Sequence, residues 1–457
     1  MRLPHSCRIA LLACIPALTA TAHAQDSSLT RPASVRRLLP GGFDFTIVDA
    51  PYNFAEGLRG PSMRQALDLS IATYDVGHAS VERAFGKHRR LAKTAITLLD
   101  MATTLEVALP LTSVWVHEEF HRTIMGRRGV NSFDDVYRLD PDATWIAVSH
   151  VKDDDIVRLK RDHPAEWIRT QSAGIEGELV LVRELERRRF FGQSRAWHLP
   201  LYWLTKLGTM GYVASGDWSD ADTDVDESNR SDGANVERRD FTGHDFLGWV
   251  YDLYRPNEPY AARGVHPSGV GIDRYVKRSD LTDEERRYLR RQGRLHLLNL
   301  VDPFLVGLYG GVAIGGGDSP TRINAGLAHF LTSFGHTVDA NVLVRRRDMN
   351  LAVTLHGYAN GERVFPGVEG ELVDVPVTLG GHALQLTPRV GLWLQPEGQR
   401  FRTSDADAGG LAALRVRTLL SRRLGAFAEL EAKTAGWVAG VPYLDRNVAL
   451  RLGLSTR

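Results

Sequence analysis

The last third of the chain alternates apolar and polar residues, and this alternation is the feature that most constrains its fold. From about residue 321 to 456, the two kinds of side chain take turns, as in Val448, Leu450 and Leu452 with Arg451 between the last two. Because successive side chains of a β-strand point to opposite faces of a sheet, the pattern predicts amphipathic antiparallel strands, about eight in number. They lie near residues 321–331, 337–346, 349–359, 369–379, 383–394, 409–419, 424–436 and 445–456.

The connections between these predicted strands differ in length. Residues 380–382 and 421–423 form short turns, whereas residues 360–367 and 396–410 form long loops. An even number of strands, with short turns at one end and longer loops at the other, resembles a bacterial outer-membrane β-barrel. That resemblance implies a C-terminus on the periplasmic side and an apolar face in contact with lipid. A soluble β-sandwich or closed barrel stays open, because alternation does not say whether the apolar face meets lipid or another sheet.

Residues 1–24 have the composition of a secretory signal peptide. Arg2 and Arg8 precede a mainly apolar run at residues 9–18, and a small-x-small cleavage site ends at Ala24. The sequence therefore predicts an exported protein of the cell envelope, either in the periplasm or in the outer membrane.

Composition excludes two kinds of chemistry. Cys7 and Cys14 both lie within the predicted signal peptide, so the chain after Ala24 has no disulfide and no thiolate ligand for a metal. Any metal ion must be held by His, Asp or Glu. The formal net charge is +1, with Lys+Arg 56 against Asp+Glu 55, and there is no sustained basic tract. We therefore do not expect nucleic-acid binding.

The chain before the alternating region has a different periodicity. Residues 25–62 form a polar lead segment rich in Pro and Gly, and apolar residues then recur at spacings of three and four through residues 63–303, which predicts helices. We predict an α+β protein in which a helical domain (63–303) precedes an antiparallel β-barrel domain (304–457). Residues 217–232 are acidic but lack the Gly and Glu of a calcium loop, so we predict a solvated loop there.

One short motif in the helical domain carries chemistry: His117-Glu118-Glu119-Phe120-His121. On a helix with 3.6 residues per turn, His117 and His121 point the same way from successive turns. Two histidines on one face, with a glutamate beside them, can hold zinc while the glutamate acts as general base toward a water that the metal activates. The alternative is a core helix whose histidines are structural.

This motif resembles that of the gluzincin zinc metallopeptidases, in which H-E-x-x-H is followed by a glutamate from a downstream helix. The resemblance implies that His117, His121 and Glu176 are zinc ligands and that Glu118 is the catalytic base. Glu176 lies among small residues in segment 172–178, which would permit a close approach between two helices. Glu178, on the apolar stripe of the same segment, is the alternative third ligand, and both glutamates could instead pair with arginines on a helix surface.

The sequence thus predicts an exported zinc metallopeptidase that hydrolyses an envelope or extracellular protein and is anchored by a C-terminal β-barrel, with the outer membrane as a partner. Two other functions stay open. One is a non-enzymatic outer-membrane barrel with a helical periplasmic domain, and the other is a zinc hydrolase of non-peptide envelope material. Cleavage preference and oligomeric state do not follow from the sequence.

Overall fold

The computed structural model confirms the α+β class. It describes residues 44–55, 60–85, 89–104, 112–138, 147–194, 198–218, 220–316, 320–347, 349–421 and 424–456. The predicted signal peptide and most of the predicted lead segment lie outside these residues. The described part of the chain forms ten α-helices, several short 3-10 helices and two antiparallel sheets, the larger of which has 11 strands.

The α-helices all lie before the main run of strands. They are α1 (Tyr52–Ala55), α2 (Met63–Phe85), α3 (Arg89–Thr104), α4 (Ser113–Arg127), α5 (Asp153–Asp162), α6 (Pro164–Phe190), α7 (His198–Ser215), α8 (Ala221–Asp232), α9 (Asp245–Tyr254) and α10 (Asp283–His296). None of these helices is both long and apolar enough to cross a membrane.

Helix α6 is the longest and lies directly against α4. Pro164 opens it, at a position where the missing N–H costs no hydrogen bond. Two glycines of α6 face α4: a Cβ on Gly174 would lie 2.2 Å from Nε2 of His117, and one on Gly177 would lie 2.8 Å from Cγ of Phe120. The small residues therefore permit a contact that larger side chains would prevent, as the sequence predicted.

Helix α8 contradicts the prediction of a solvated acidic loop at residues 217–232. Most of this segment is helical, and Ala221 and Val225, which lie four residues apart, are buried against neighbouring helices. The acidic residues occupy the other side of α8, where Asp226 pairs with Lys277 at 2.6 Å. The prediction was wrong because it weighed the carboxylates and not the apolar pair beneath them.

The strands follow the predicted positions closely. They are β1 (Asp44–Ala50), β2 (Phe133–Asp134), β3 (Val148–Ser149), β4 (Val312–Ile314), β5 (Thr321–Thr332), β6 (Gly335–Arg346), β7 (Met349–Ala359), β8 (Val364–Leu372), β9 (Val375–Leu379), β10 (His382–Pro396), β11 (Ala406–Leu419), β12 (Leu424–Lys433) and β13 (Asn447–Thr456). The strand predicted at residues 369–379 is in fact parts of β8 and β9, separated near Asp374, whose φ of 53° is incompatible with an extended strand.

The large sheet is open where the structure describes it, so the prediction of a closed barrel is not confirmed. Its strands lie in the order β1-β13-β12-β11-β10-β8-β7-β6-β5-β4, with β9 beside β10. The first strand, β1, comes from the predicted lead segment and pairs with β13. At the other side, the amide of Leu327 on β5 donates to the carbonyl of Val301 at 2.8 Å. A segment of the helical part therefore covers this stretch of β5, where a closed barrel would place another strand.

Helix α6 packs against the polar face of the sheet. Arg183 donates to Asp339 at 2.6 Å, Arg187 donates to Glu371 at 2.6 Å, and Arg345 of β6 donates to the carbonyl of Phe190 at 2.8 Å. Near the other end of α6, aromatic side chains of helices and sheet share one core, which includes Trp249, Phe330 and Trp437. The helical part and the sheet are thus packed together along the whole of α6.

Candidate metal centre

Helix α4 holds the two histidines of the motif inside the protein. Every residue from Ser113 to Gly126 is buried, and the exposed fractions of His117, Glu118 and His121 are only 3%, 5% and 1%. Burying two imidazoles and a carboxylate is costly unless each of them has a partner. Each of these three side chains should therefore have polar or charged neighbours.

The structure brings a third side chain, Asp245, to the two histidines. Asp245 begins α9, and its Oδ2 lies 3.1 Å from Nε2 of His117 and 3.4 Å from Nε2 of His121. One ligand atom from each residue lies within 4.8 Å of the others. Ligand atoms bound tetrahedrally to zinc at 2.0–2.2 Å lie roughly 3.4 Å apart. Among the residues described, this buried group could hold a metal ion.

The remaining nitrogens of the imidazoles face other groups. Nδ1 of His121 donates to the carbonyl of Thr170 at 2.5 Å, so in the neutral imidazole it is Nε2 that carries the lone pair. This buried Nε2 has no hydrogen-bond partner in the described structure. Nδ1 of His117 faces Oε1 of Glu178 at 3.5 Å. Such outer partners fix the tautomer and orientation of metal-binding histidines.

Charge in the site favours a cation. Burial alone would lower the pKa of His117, but its hydrogen bond to Asp245 and its contact with Glu178 outweigh burial and hold the pKa well above its usual value. Burial raises the pKa of Glu118 to about 7, although the two histidines oppose that shift. Burial and the charges of Glu118 and Asp245 also raise the pKa of Asp240 well above its usual value. A proton on His117 offsets part of this negative charge, and a divalent cation would offset more of it.

The two neighbouring glutamates of the motif have different environments. Glu119 accepts hydrogen bonds from Arg122 at 2.7 Å and from Tyr137 at 2.6 Å, so both of its carboxylate oxygens already have donors within the protein. Glu118 lies on the side of the histidines and Asp245, whose charges act on it. Of the two glutamates, Glu119 is held by Arg122 and Tyr137, and Glu118 is the one that lies beside the histidines.

The structure does not bring Glu176 to the histidines. The Glu176 carboxylate accepts hydrogen bonds from Arg169 at 2.7 Å, from the Gly440 amide at 2.8 Å and from Nε1 of Trp437 at 3.2 Å. Gly174 and Glu178 lie against His117, and Glu176 is two positions from each of them. Two positions along a helix turn a side chain by about 200°, so Glu176 faces the sheet instead. Glu178, on the other side of α6, faces Nδ1 of His117 and would orient that imidazole if its Nε2 held a metal.

Sequence reasoning missed Asp245 because only the tertiary fold brings α9 to α4. The local signal is weak: a lone His244 precedes Asp245, and Gly248 follows one turn later. A Cβ on Gly248 would lie 2.1 Å from Oε1 of Gln171, so this glycine permits α9 to approach α6. Tyr212 of α7 completes the surroundings, since its hydroxyl donates to Oδ2 of Asp245 at 3.0 Å.

Replacing Gly174 with alanine should weaken metal binding. The new Cβ would lie 2.2 Å from Nε2 of His117, so the imidazole must leave its present position beside Asp245. We expect zinc affinity to fall by about 10- to 100-fold, as for other losses of ligand orientation. Competition with a chelator of known affinity measures this change. Gly208→Ala on α7 is the control, because nothing lies within 4 Å of its Cβ position. Wild-type affinity in Gly174→Ala would contradict the proposed role of His117.

Comparison of the chain with known protein families, with curated proteins and with solved structures finds no match.

Proposed function

We propose that this protein is a zinc-dependent metallopeptidase in which His117, His121 and Asp245 bind the metal and Glu118 is the general base. The observation that carries the proposal is that these three side chains, from two helices distant in sequence, lie together in the protein interior. Beside them is Glu118, whose pKa is raised by burial. The carboxylate of Asp245 comes from a second helix, and its Oδ2 lies 3.1 Å and 3.4 Å from the two imidazole nitrogens, which is close to the spacing of ligands on one zinc ion.

The donor set fits a catalytic zinc ion. Catalytic zinc sites have three protein ligands of the His and carboxylate type and keep the fourth position for water or substrate. Nε2 of His121 makes no hydrogen bond and, like Nε2 of His117, faces Oδ2 of Asp245, so both nitrogens are suitably placed donors. The chain after residue 24 has no cysteine, which excludes the thiolate sets of most structural zinc sites.

Each protein group has a defined part in hydrolysis. Bound zinc would polarise the scissile carbonyl and make water more acidic. Glu118 accepts a proton from water while the oxygen of the water bonds to the carbonyl carbon. Glu118 then passes this proton to the leaving amine when the C–N bond breaks. In the metal-free site burial raises the pKa of Glu118 to about 7, and a cation beside the carboxylate would lower it toward the range of a general base. Glu178 and Tyr212 keep His117 and Asp245 in place.

The proposed substrate is a peptide segment of an envelope or extracellular protein. The H-E-x-x-H motif and the predicted export of the chain support this class. The same centre could act on an ester or amide of non-peptide envelope material, because the polarised carbonyl and the proton transfers are alike. Only substrate trials separate these two classes.

Removal and return of zinc tests the proposed activity. The chain from Gln25 onward, purified with about one zinc, should cleave unfolded casein or a mixture of unstructured peptides. A zinc chelator should abolish cleavage, and added zinc should restore it. A protein that binds no zinc would contradict the proposal and favour the non-enzymatic function. Zinc-dependent hydrolysis of lipid or peptidoglycan fragments, without peptide cleavage, would assign the second class of substrate.

A further inference from the structure

We infer that the face of the large sheet that points away from the helical part is embedded in a lipid bilayer. This face is apolar and exposed, with exposed fractions of 62% for Val390, 68% for Leu392 and 64% for Val448. We call it the apolar band. Its exposed members on β7, β8 and β10 to β13 include Leu355, Val364, Val368, Val390, Leu392, Leu394, Leu414, Leu430, Val448, Leu450 and Leu452.

The opposite face of the same strands carries buried and half-buried charges. Arg389 donates to Glu369 at 2.8 Å, Arg415 donates to Glu429 at 2.8 Å, and Arg451 donates to Glu429 at 2.5 Å. A protein in water places charged side chains outside and large apolar side chains inside. These strands have the reverse distribution, which suits an apolar solvent around the sheet and a polar interior.

The apolar band is continuous from strand to strand. Leu430 lies opposite Leu414 on one side and Leu450 on the other, and Val368 lies opposite Leu355 and Leu392. Apolar residues scattered singly over a surface need no explanation, but a contiguous patch of this kind marks an interaction surface.

A bilayer fits the apolar band better than a second protein does. The band runs across six strands, and Leu297, Val301 and Val306 in the segment beside β5 are exposed as well. A single protein partner would cover only part of a surface this wide, whereas lipid would contact every strand of the band. The strands also have a suitable length, since β12 and β13 have 10 residues each and about 9–11 tilted residues cross a bilayer.

The proposed metal centre lies beyond one end of the apolar band. Asp445, in the connection after β12, accepts a hydrogen bond from Arg128 at 2.9 Å, directly after α4. The amide of Gly440 in the same connection donates to Glu176 of α6 at 2.8 Å. The short turns at the other end lie near the C-terminus of α6 instead, where Arg345 contacts Phe190. The longer connections and the helices of the metal centre therefore lie on the same side of the bilayer.

Single cysteines provide a direct test, because the chain from Gln25 onward contains none. Leu430, inside β12, and Leu420, in the turn before it, are exposed to similar extents, 57% and 60%. Leu430→Cys and Leu420→Cys would each carry a fluorescent label in vesicles of phosphatidylcholine and phosphatidylglycerol. Lipids brominated on their acyl chains should quench the label at position 430 strongly and the label at position 420 weakly. Equal, weak quenching at both positions would overturn the inference.

Arginine at the same two positions gives a second readout. In vesicles, Leu430→Arg should reduce the folding equilibrium constant by about 30- to 1000-fold and Leu420→Arg by no more than about 5-fold, because the cost of a charge depends on depth. Unfolding titrations in the same vesicles measure both changes. Two nearly equal, small effects would contradict lipid contact, as would a dimer without detergent whose formation buries position 430. None of these outcomes involves zinc, so the inference and the proposed enzyme activity can fail separately.

Discussion

Glu118→Gln is expected to lower kcat/KM for peptide hydrolysis by at least about 100-fold while the protein keeps its zinc. The amide has the shape of the carboxylate but cannot accept a proton from water. Glu118 lies in a buried site where its pKa rises to about 7 without metal, and a cation beside the carboxylate would lower that pKa toward the range of a general base. Elemental analysis measures the zinc, and initial rates on one peptide measure hydrolysis.

The control for this variant must come from outside α4. The adjacent Glu119 is unsuitable, because it is fully buried and pairs with Arg122, so its replacement would destabilise the fold. Glu227 on α8 is exposed, and Glu227→Gln makes the same chemical change on a different helix from the histidines. It should leave activity unchanged. A wild-type rate in Glu118→Gln would remove this residue from the mechanism.

The strands could be predicted because their signal is local. In β12, Ala428 and Leu430 point outward while Phe427 and Glu431 are buried, and a period of two in the sequence is sufficient to show this. Whether the sheet closes is a different question. The hydrogen bond from Leu327 to Val301 involves a segment outside the alternating region, and no pattern within the strands predicts it.

The same division applies to the metal centre. His117 and His121 lie one helical turn apart, so their common face follows from the sequence alone. The small residues near Glu176 correctly predicted that α6 approaches α4, but Gly174 and Gly177 form that contact and Glu176 points to the sheet. Asp245 could not be identified because its position depends on how α9 packs, which is a property of the whole helical part.

Asp245→Ala should reduce zinc affinity by at least about 100-fold, as much as the loss of one of the histidines, because three protein ligands would become two. Glu176→Gln should have a different effect. Its side chain and that of Arg169 are both fully buried, so the variant leaves a buried guanidinium without its charged partner. We expect zinc binding to persist in Glu176→Gln while the free energy of unfolding falls by roughly 3 kcal/mol.

Two measurements on each variant separate the two carboxylates: a zinc titration against a competing chelator, and denaturant unfolding of the metal-free protein. The metal-free stability of Asp245→Ala also reports on the site. The hydrogen bonds of Asp245 with His117 and Tyr212 contribute to that stability, so their removal should lower it. Retained zinc in Asp245→Ala, together with loss of zinc in Glu176→Gln, would reverse the assignment. The third ligand would then be the glutamate that the gluzincin resemblance implies, and α6 would have to rotate about its axis to present it.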